Sequence, residues 1–82
     1  MRVAAFENEP DAAATAVMLR EQGYDAEVIV KEGADYDARM RAFFSGKPIE
    51  YEPHALVVSE ADGEHFNRAV LRHYGQVIRG DV

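Results

Sequence analysis

Eighty-two residues fit a single domain over 1–82, since chains below roughly 100 residues seldom divide further. The net charge of −6, with nine Lys and Arg scattered among fifteen Asp and Glu, argues against nucleic acid, whose phosphates draw affinity from clustered cations. Without cysteine there is no disulfide framework and no thiolate metal site. No apolar run nears the ~18 residues of a membrane span and no leader is evident, so a cytoplasmic protein with no membrane contact is expected.

Arg2 to Glu7 forms the first strand candidate, apolar on both faces at Val3 to Phe6. Asn8 suits the N-cap of a helix with Pro10 in its first turn and Asp11 three residues after the cap. That helix runs through 11–22, with Ala14, Val17 and Met18 expected inward and Gly23 as a left-handed stop. Ala26 to Lys31 reads as the second strand, rich in β-branched residues.

Residues 33–53 follow. Asp35 is placed to cap a helix in which Tyr36, Met40, Phe43 and Phe44 fall at i, i+4, i+7 and i+8, an amphipathic stripe expected on the core edge. Gly46 and Pro48 end it, and Lys47 to Pro53 reads as a connector. His54 to Ser59 is the third strand. Ser59 and Asp62 fit a hydroxyl-plus-acid capping pattern, and Phe66, Ala69 and Val70 share one face of the next helix. Gly75 is its expected stop, before a last strand over Gln76 to Arg79.

Two of these units echo each other at a 52-residue offset. Leu19-Arg20-Glu21-Gln22-Gly23 is matched by Leu71-Arg72-His73-Tyr74-Gly75, with an apolar run before each. At that offset Ala14, Val17 and Met18 match Phe66, Ala69 and Val70, and Leu19 and Leu71 both read as packing residues. Two strand–helix–strand units predict an α+β fold, a ferredoxin-like βαββαβ sandwich with an extra helix between strands 2 and 3. A doubly wound parallel sheet is the competing topology. In the ferredoxin-like plan one sheet face is left open, and a homodimer through that face is expected, with Val3, Ala5, Ile29, Val57 and Ile78 as contributors.

The short strand, acidic turn and Ala-rich helix ending Leu19-Arg20-Glu21-Gln22-Gly23-Tyr24, together with Ala55-Leu56-Val57-Val58-Ser59-Glu60-Ala61-Asp62, resemble the bacterial general-stress (heat-induced stress protein) domain over roughly 2–30 and 55–78. The resemblance implies a stress-associated, non-enzymatic role and brings no catalytic residues. The middle departs from that family, being aromatic where the family's is glycine-rich.

Chemistry-bearing side chains are few. His65 and His73 lie eight apart on one helix, a poor chelating geometry, and no metal or cofactor is expected. His73 falls on the packed side and His65 on the exposed side. Asp62-Gly63-Glu64-His65 is explained by capping and by acids at a positive helix end. Ser45 and Ser59 lack a neighbouring base, so no catalytic residue is assigned. The one site-like cluster is Tyr51, Glu52 and His54, a ligand-binding candidate beside a strand start, expected to line a pocket under the inserted helix. The function read from the sequence is a small non-enzymatic module meeting a protein partner or a small metabolite. The alternatives are a ligand-sensing domain acting at a dimer interface and a small dimeric acid–base enzyme using residues 51–54.

Overall fold

The computed structural model describes residues 1–33, 36–43 and 53–78. Its elements are β1 (Arg2–Phe6), α1 (Glu9–Glu21), β2 (Ala26–Val30), α2 (Tyr36–Phe43), β3 (Ala55–Ser59), α3 (Gly63–Arg72) and β4 (Gln76–Ile78). The fold is α+β. Its four strands form one sheet in the order β2-β3-β1-β4, antiparallel throughout, with Ala4 opposite Val57 on one side and Val77 on the other. The parallel alternative is thereby removed. Asp35, Phe44, Gly46, Pro48, Tyr51, Glu52 and Arg79 lie outside the described residues.

β1 and β3 occupy the centre, and their residues Val3 to Phe6 and Ala55 to Ser59 are all buried. Alternation along a strand sends successive side chains to opposite faces, so both faces must be covered. On one, Ala4, Phe6, Ala55 and Val57 pack with Ala12, Leu19, Phe66, Ala69 and Val70 of α1 and α3. On the other, Val3, Ala5, Ile29, Leu56 and Val58 pack with Tyr36 and Met40 of α2. The Tyr36 hydroxyl donates to the Pro53 carbonyl at 2.5 Å, so its polar end is satisfied in the interior.

This arrangement changes three expectations. α2 lies over the sheet's second face rather than at the core edge, so the face assigned to a homodimer is covered within one chain. Val57 points to the α1/α3 layer and not to that face; the side chains of Ile78 and Phe43 are not among those described. Among the described residues Tyr36 and Met40 carry the cover, and the strands nearest to them in sequence do not reveal which face they need.

The echoed halves also align differently in space. Asn8 caps α1, its Oδ1 accepting from Asp11 N–H at 3.0 Å. Asp62 caps α3 in the same way through His65 N–H at 3.0 Å. Ser59 is not the cap. It is buried at the end of β3, donating to the Asp25 carbonyl and accepting from Ala61 N–H. Counted from the true caps, positions +4, +7 and +8 face inward in both helices: Ala12, Thr15 and Ala16 in α1, and Phe66, Ala69 and Val70 in α3. Val17, expected inside, is 48% exposed, while Ala14 and Met18 are half-buried. The Thr15 hydroxyl is satisfied by donating to the Asp11 carbonyl.

The C-terminal ends match at yet another offset. In α1, Gly23 takes φ +93, its N–H reaching the Arg20 carbonyl and that of Tyr24 reaching Leu19. In α3 the corresponding bonds run from Tyr74 to Leu71 and from Gly75 to Val70, the same helix stop with Tyr74 at φ 61 in the glycine's place. Leu19 therefore corresponds to Val70, and Leu71 to Arg20. Leu19 is fully buried, and Leu71 is 70% exposed rather than a packing residue. Gly75 is needed for room rather than for its φ, since a Cβ there would strike the Phe6 ring.

Strand edges complete the frame. The Lys31 N–H bonds the His54 carbonyl, and antiparallel alternation from that pair turns the backbone groups of Ala26, Val28 and Val30 outward from β2. Carried across the sheet, the same alternation turns the N–H and C=O of Val77 outward from β4. On the β2 edge the Arg20 guanidinium donates twice to the outward Ala26 carbonyl, at 2.9 and 2.7 Å.

Leu19→Ala is expected to cost about 2–5 kcal/mol and Leu71→Ala to stay within about 0.5 kcal/mol of wild type, as read by urea denaturation. Equal effects would show that the helix ends align as the pentapeptides do. Gly75→Ala should destabilise by about 1–3 kcal/mol through overpacking against Phe6.

Candidate functional site

The cap of α3 is the centre of the best-developed polar cluster. Asp62 sits just before the helix because its carboxylate can take the free N–H of the first turn. His65, three residues on, lies above it and brings Nδ1 to 2.8 Å from Oδ2 and 2.9 Å from Oδ1. Tyr24, just past the stop of α1, donates its hydroxyl to Asp62 Oδ2 at 2.8 Å. The Tyr24 and His65 rings lie with centroids 5.5 Å apart and planes tilted by 52°. A carboxylate only accepts, so Nδ1 of His65 carries the proton and Nε2 is turned away from the carboxylate.

The hydrogen bonds shape the acidity of both oxygens. Asp62 is held well below the usual carboxylate range, first by the His65 backbone N–H, then by the His65 ring and the Tyr24 hydroxyl. The Tyr24 phenol is raised, chiefly because its proton is shared with Asp62, with desolvation and the nearby negative charge adding to it. Chemically, a carboxylate that fixes an imidazole is a proton-transfer or metal-binding pair. Among the described residues, however, no group of three His, Cys, Asp or Glu is arranged to hold a metal. The side chains of His65 and Asp62 are 40% and 53% exposed. What the cluster does within the chain is tie the end of α1 to the start of α3 across 38 residues of sequence.

His54 is the described member of the sequence-derived site; Tyr51 and Glu52 lie outside the described residues. His54 is exposed, and its Nδ1–H donates to the Glu7 carbonyl at 2.5 Å. Its backbone N–H bonds the Phe6 carbonyl at 3.0 Å. It lines an open cleft of about 350 Å³ with Glu7, Asn8, Glu9 and Pro10. The cleft belongs to the β1–α1 turn; the pocket expected under the inserted helix involves Tyr51 and Glu52 and lies outside the described residues. The His65 side chain keeps 40% of its surface exposed, and His73 is half-buried at the C-cap of α3.

The sequence singled out Asp62 and His65 but not Tyr24. Their i, i+3 spacing is visible in one dimension; a phenol 38 residues away is not. The chain matches no family model, no curated protein and no solved structure.

The direction of each shift fixes a pH dependence. Asp62 titrates lower in the folded chain than unfolded, so its contribution is complete above the ordinary carboxylate value of about 4 and is lost as pH falls through its depressed range. Tyr24 titrates higher when folded, so its contribution is complete below about 10 and is lost as pH rises past the raised value. The stability difference between wild type and Asp62→Asn, which keeps a capping oxygen, should therefore shrink as the pH is taken below about 4. A difference that is flat with pH would show that the charge contributes nothing. Ultraviolet titration should show one fewer late-ionising phenol in Tyr24→Phe than in wild type.

Proposed function

We propose that the chain is a small non-enzymatic interaction module on a ferredoxin-like βαββαβ frame, with α2 inserted between the second and third strands. The frame reading rests on the strand order β2-β3-β1-β4 with antiparallel pairing and on α1 and α3 sharing one face. The functional reading rests on how the chemistry-bearing groups are used. Asp62 serves as a helix cap, Tyr24 and His65 bond to it, and His54 bonds a backbone carbonyl. Each holds the scaffold together, while large apolar side chains remain exposed at Val17, Leu71, Tyr74 and Val77. The stress-associated setting implied by the family resemblance belongs to the same proposal.

A second reading, a ligand-sensing domain for a small metabolite, is supported by the cleft of about 350 Å³ that His54 lines at the first strand–helix turn. A homodimer through the sheet face requires α2 to leave Val3, Ala5, Ile29, Leu56 and Val58.

A thermal-shift screen against metabolites and divalent metals separates the readings. A ligand present at 100 times its dissociation constant stabilises a fold by about 2.7 kcal/mol, readily seen in a chain of 82 residues. The interaction-module reading expects no shift. A metabolite shift abolished by His54→Ala would replace it with the sensing reading. Sedimentation at high micromolar concentration tests the sheet-face dimer, and a monomer mass would remove it.

A further inference from the structure

The exposed end formed by α3 and β4 carries an observation that folding alone does not explain. Tyr74 holds φ 61, a left-handed conformation that disfavours side-chain-bearing residues and that glycine adopts freely. The equivalent stop on α1 uses Gly23. Tyr74 is nevertheless 89% exposed, and among the described residues its side chain takes no hydrogen bond, ion pair or ring contact. The fold bears a backbone cost, and among the described residues the side chain gains no polar or ring contact in return. Strained residues of this kind gather where a protein meets something else.

The surroundings share one chemistry. Leu71, one turn before Tyr74, is 70% exposed, and Val77, three residues after it, is 45% exposed. Val77 also turns its backbone N–H and C=O away from β1, an outward pair on this sheet edge. Residues 65–80 contain three arginines and no Asp or Glu, so this +3 stretch leaves −9 on the rest of a chain whose net charge is −6. Arg72 is exposed at the last turn of α3, and Arg68 one turn earlier is paired with Glu64 across an exposed 3.0 Å contact. Exposed pairs of this kind exchange readily with another carboxylate.

We propose that Leu71, Tyr74 and Val77, bordered by Arg72 and Arg68, form the docking surface for an extended acidic segment of a protein partner. An aliphatic or aromatic side chain of that segment lies against Tyr74 and Leu71. Its carboxylates meet the two arginines, and its backbone pairs with the outward groups of Val77. Tyrosine suits this task because it presents a large rigid surface with few rotatable bonds. Charge complementarity selects the partner: the basic end of an acidic chain attracts carboxylates, while the −9 remainder repels them elsewhere. The proposal rests on the interaction-module reading and names its site.

The test uses the full 82-residue chain and two fluorescein-labelled decapeptides, one alternating Glu with Val and Tyr, the other with Lys in place of each Glu. The Glu peptide should bind with an anisotropy change that weakens as salt is raised, and the Lys peptide at least about tenfold more weakly. Tyr74→Gly and Leu71→Ser should each reduce Glu-peptide binding by about tenfold or more. Arg72→Glu should reverse the preference between peptides. Tyr74→Gly should leave Tm unchanged or raise it by up to about 5 °C, which separates lost docking from lost folding. Absence of Glu-peptide binding, or equal binding of both peptides, overturns the proposal. Binding unaffected by Tyr74→Gly moves the site elsewhere and leaves the module reading intact. A self-association lost in Tyr74→Gly makes a second copy the occupant and overturns the acidic-segment assignment.

Discussion

β1 and β3 are apolar on both faces, and the organisation of the rest of the chain answers to that fact. An antiparallel sheet commonly packs one face and wets the other, giving alternating apolar and polar residues. Val3-Ala4-Ala5-Phe6 and Ala55-Leu56-Val57-Val58 have no such alternation, and all eight residues are buried. Two flanking helices therefore do not suffice. α2 supplies the third layer, and through Tyr36 it is fixed to Pro53 at the entrance of β3. A domain of this size buries a modest share of its surface, so a layer that brings Tyr36 and Met40 onto the sheet has wide influence on the whole.

Small residues make the other side work. α1 places Ala12, Thr15, Ala16 and Leu19 inward, while α3 places Phe66, Ala69 and Val70 there. The lean face of one helix leaves room for the aromatic ring carried by the other. Gly75 extends the same logic to the sheet by leaving space for Phe6. Small side chains of one helix thus balance large ones of the other across the layer.

That balance explains what the sequence disclosed and what it hid. The strands were legible because runs such as Ala55 to Val58 have one reading in a short chain. The Asn8 cap was legible from Pro10 and Asp11, and the inward set Phe66, Ala69 and Val70 from its contrast with charged neighbours. α1 gave no such contrast: with alanines on several sides, the identities at the helix end drew the alignment to 52 residues, although the caps differ by 54 and the left-handed stops by 51. α3 is three residues shorter than α1, and the echo conceals that. At the candidate site, Asp62 and His65 were legible as neighbours on one helix. Tyr24 was not, since its place follows from how two helix ends meet. The cleft beside His54 likewise depends on a backbone contact to Glu7 that no spacing rule anticipates. Tyr24 and Tyr74 make the point together: each follows the end of a helix, yet one is drawn into a cap and the other faces solvent.

The Arg20 guanidinium on the Ala26 carbonyl has a bearing on assembly. A sheet with two free margins can add copies at both and grow without limit. Here one margin is partly occupied by a side chain of its own fold, and the other is three residues long. A strand that pairs along the β2 margin at Ala26 has to displace that guanidinium first. The same arginine that anchors the end of α1 thus guards one stretch of the sheet margin against an added strand.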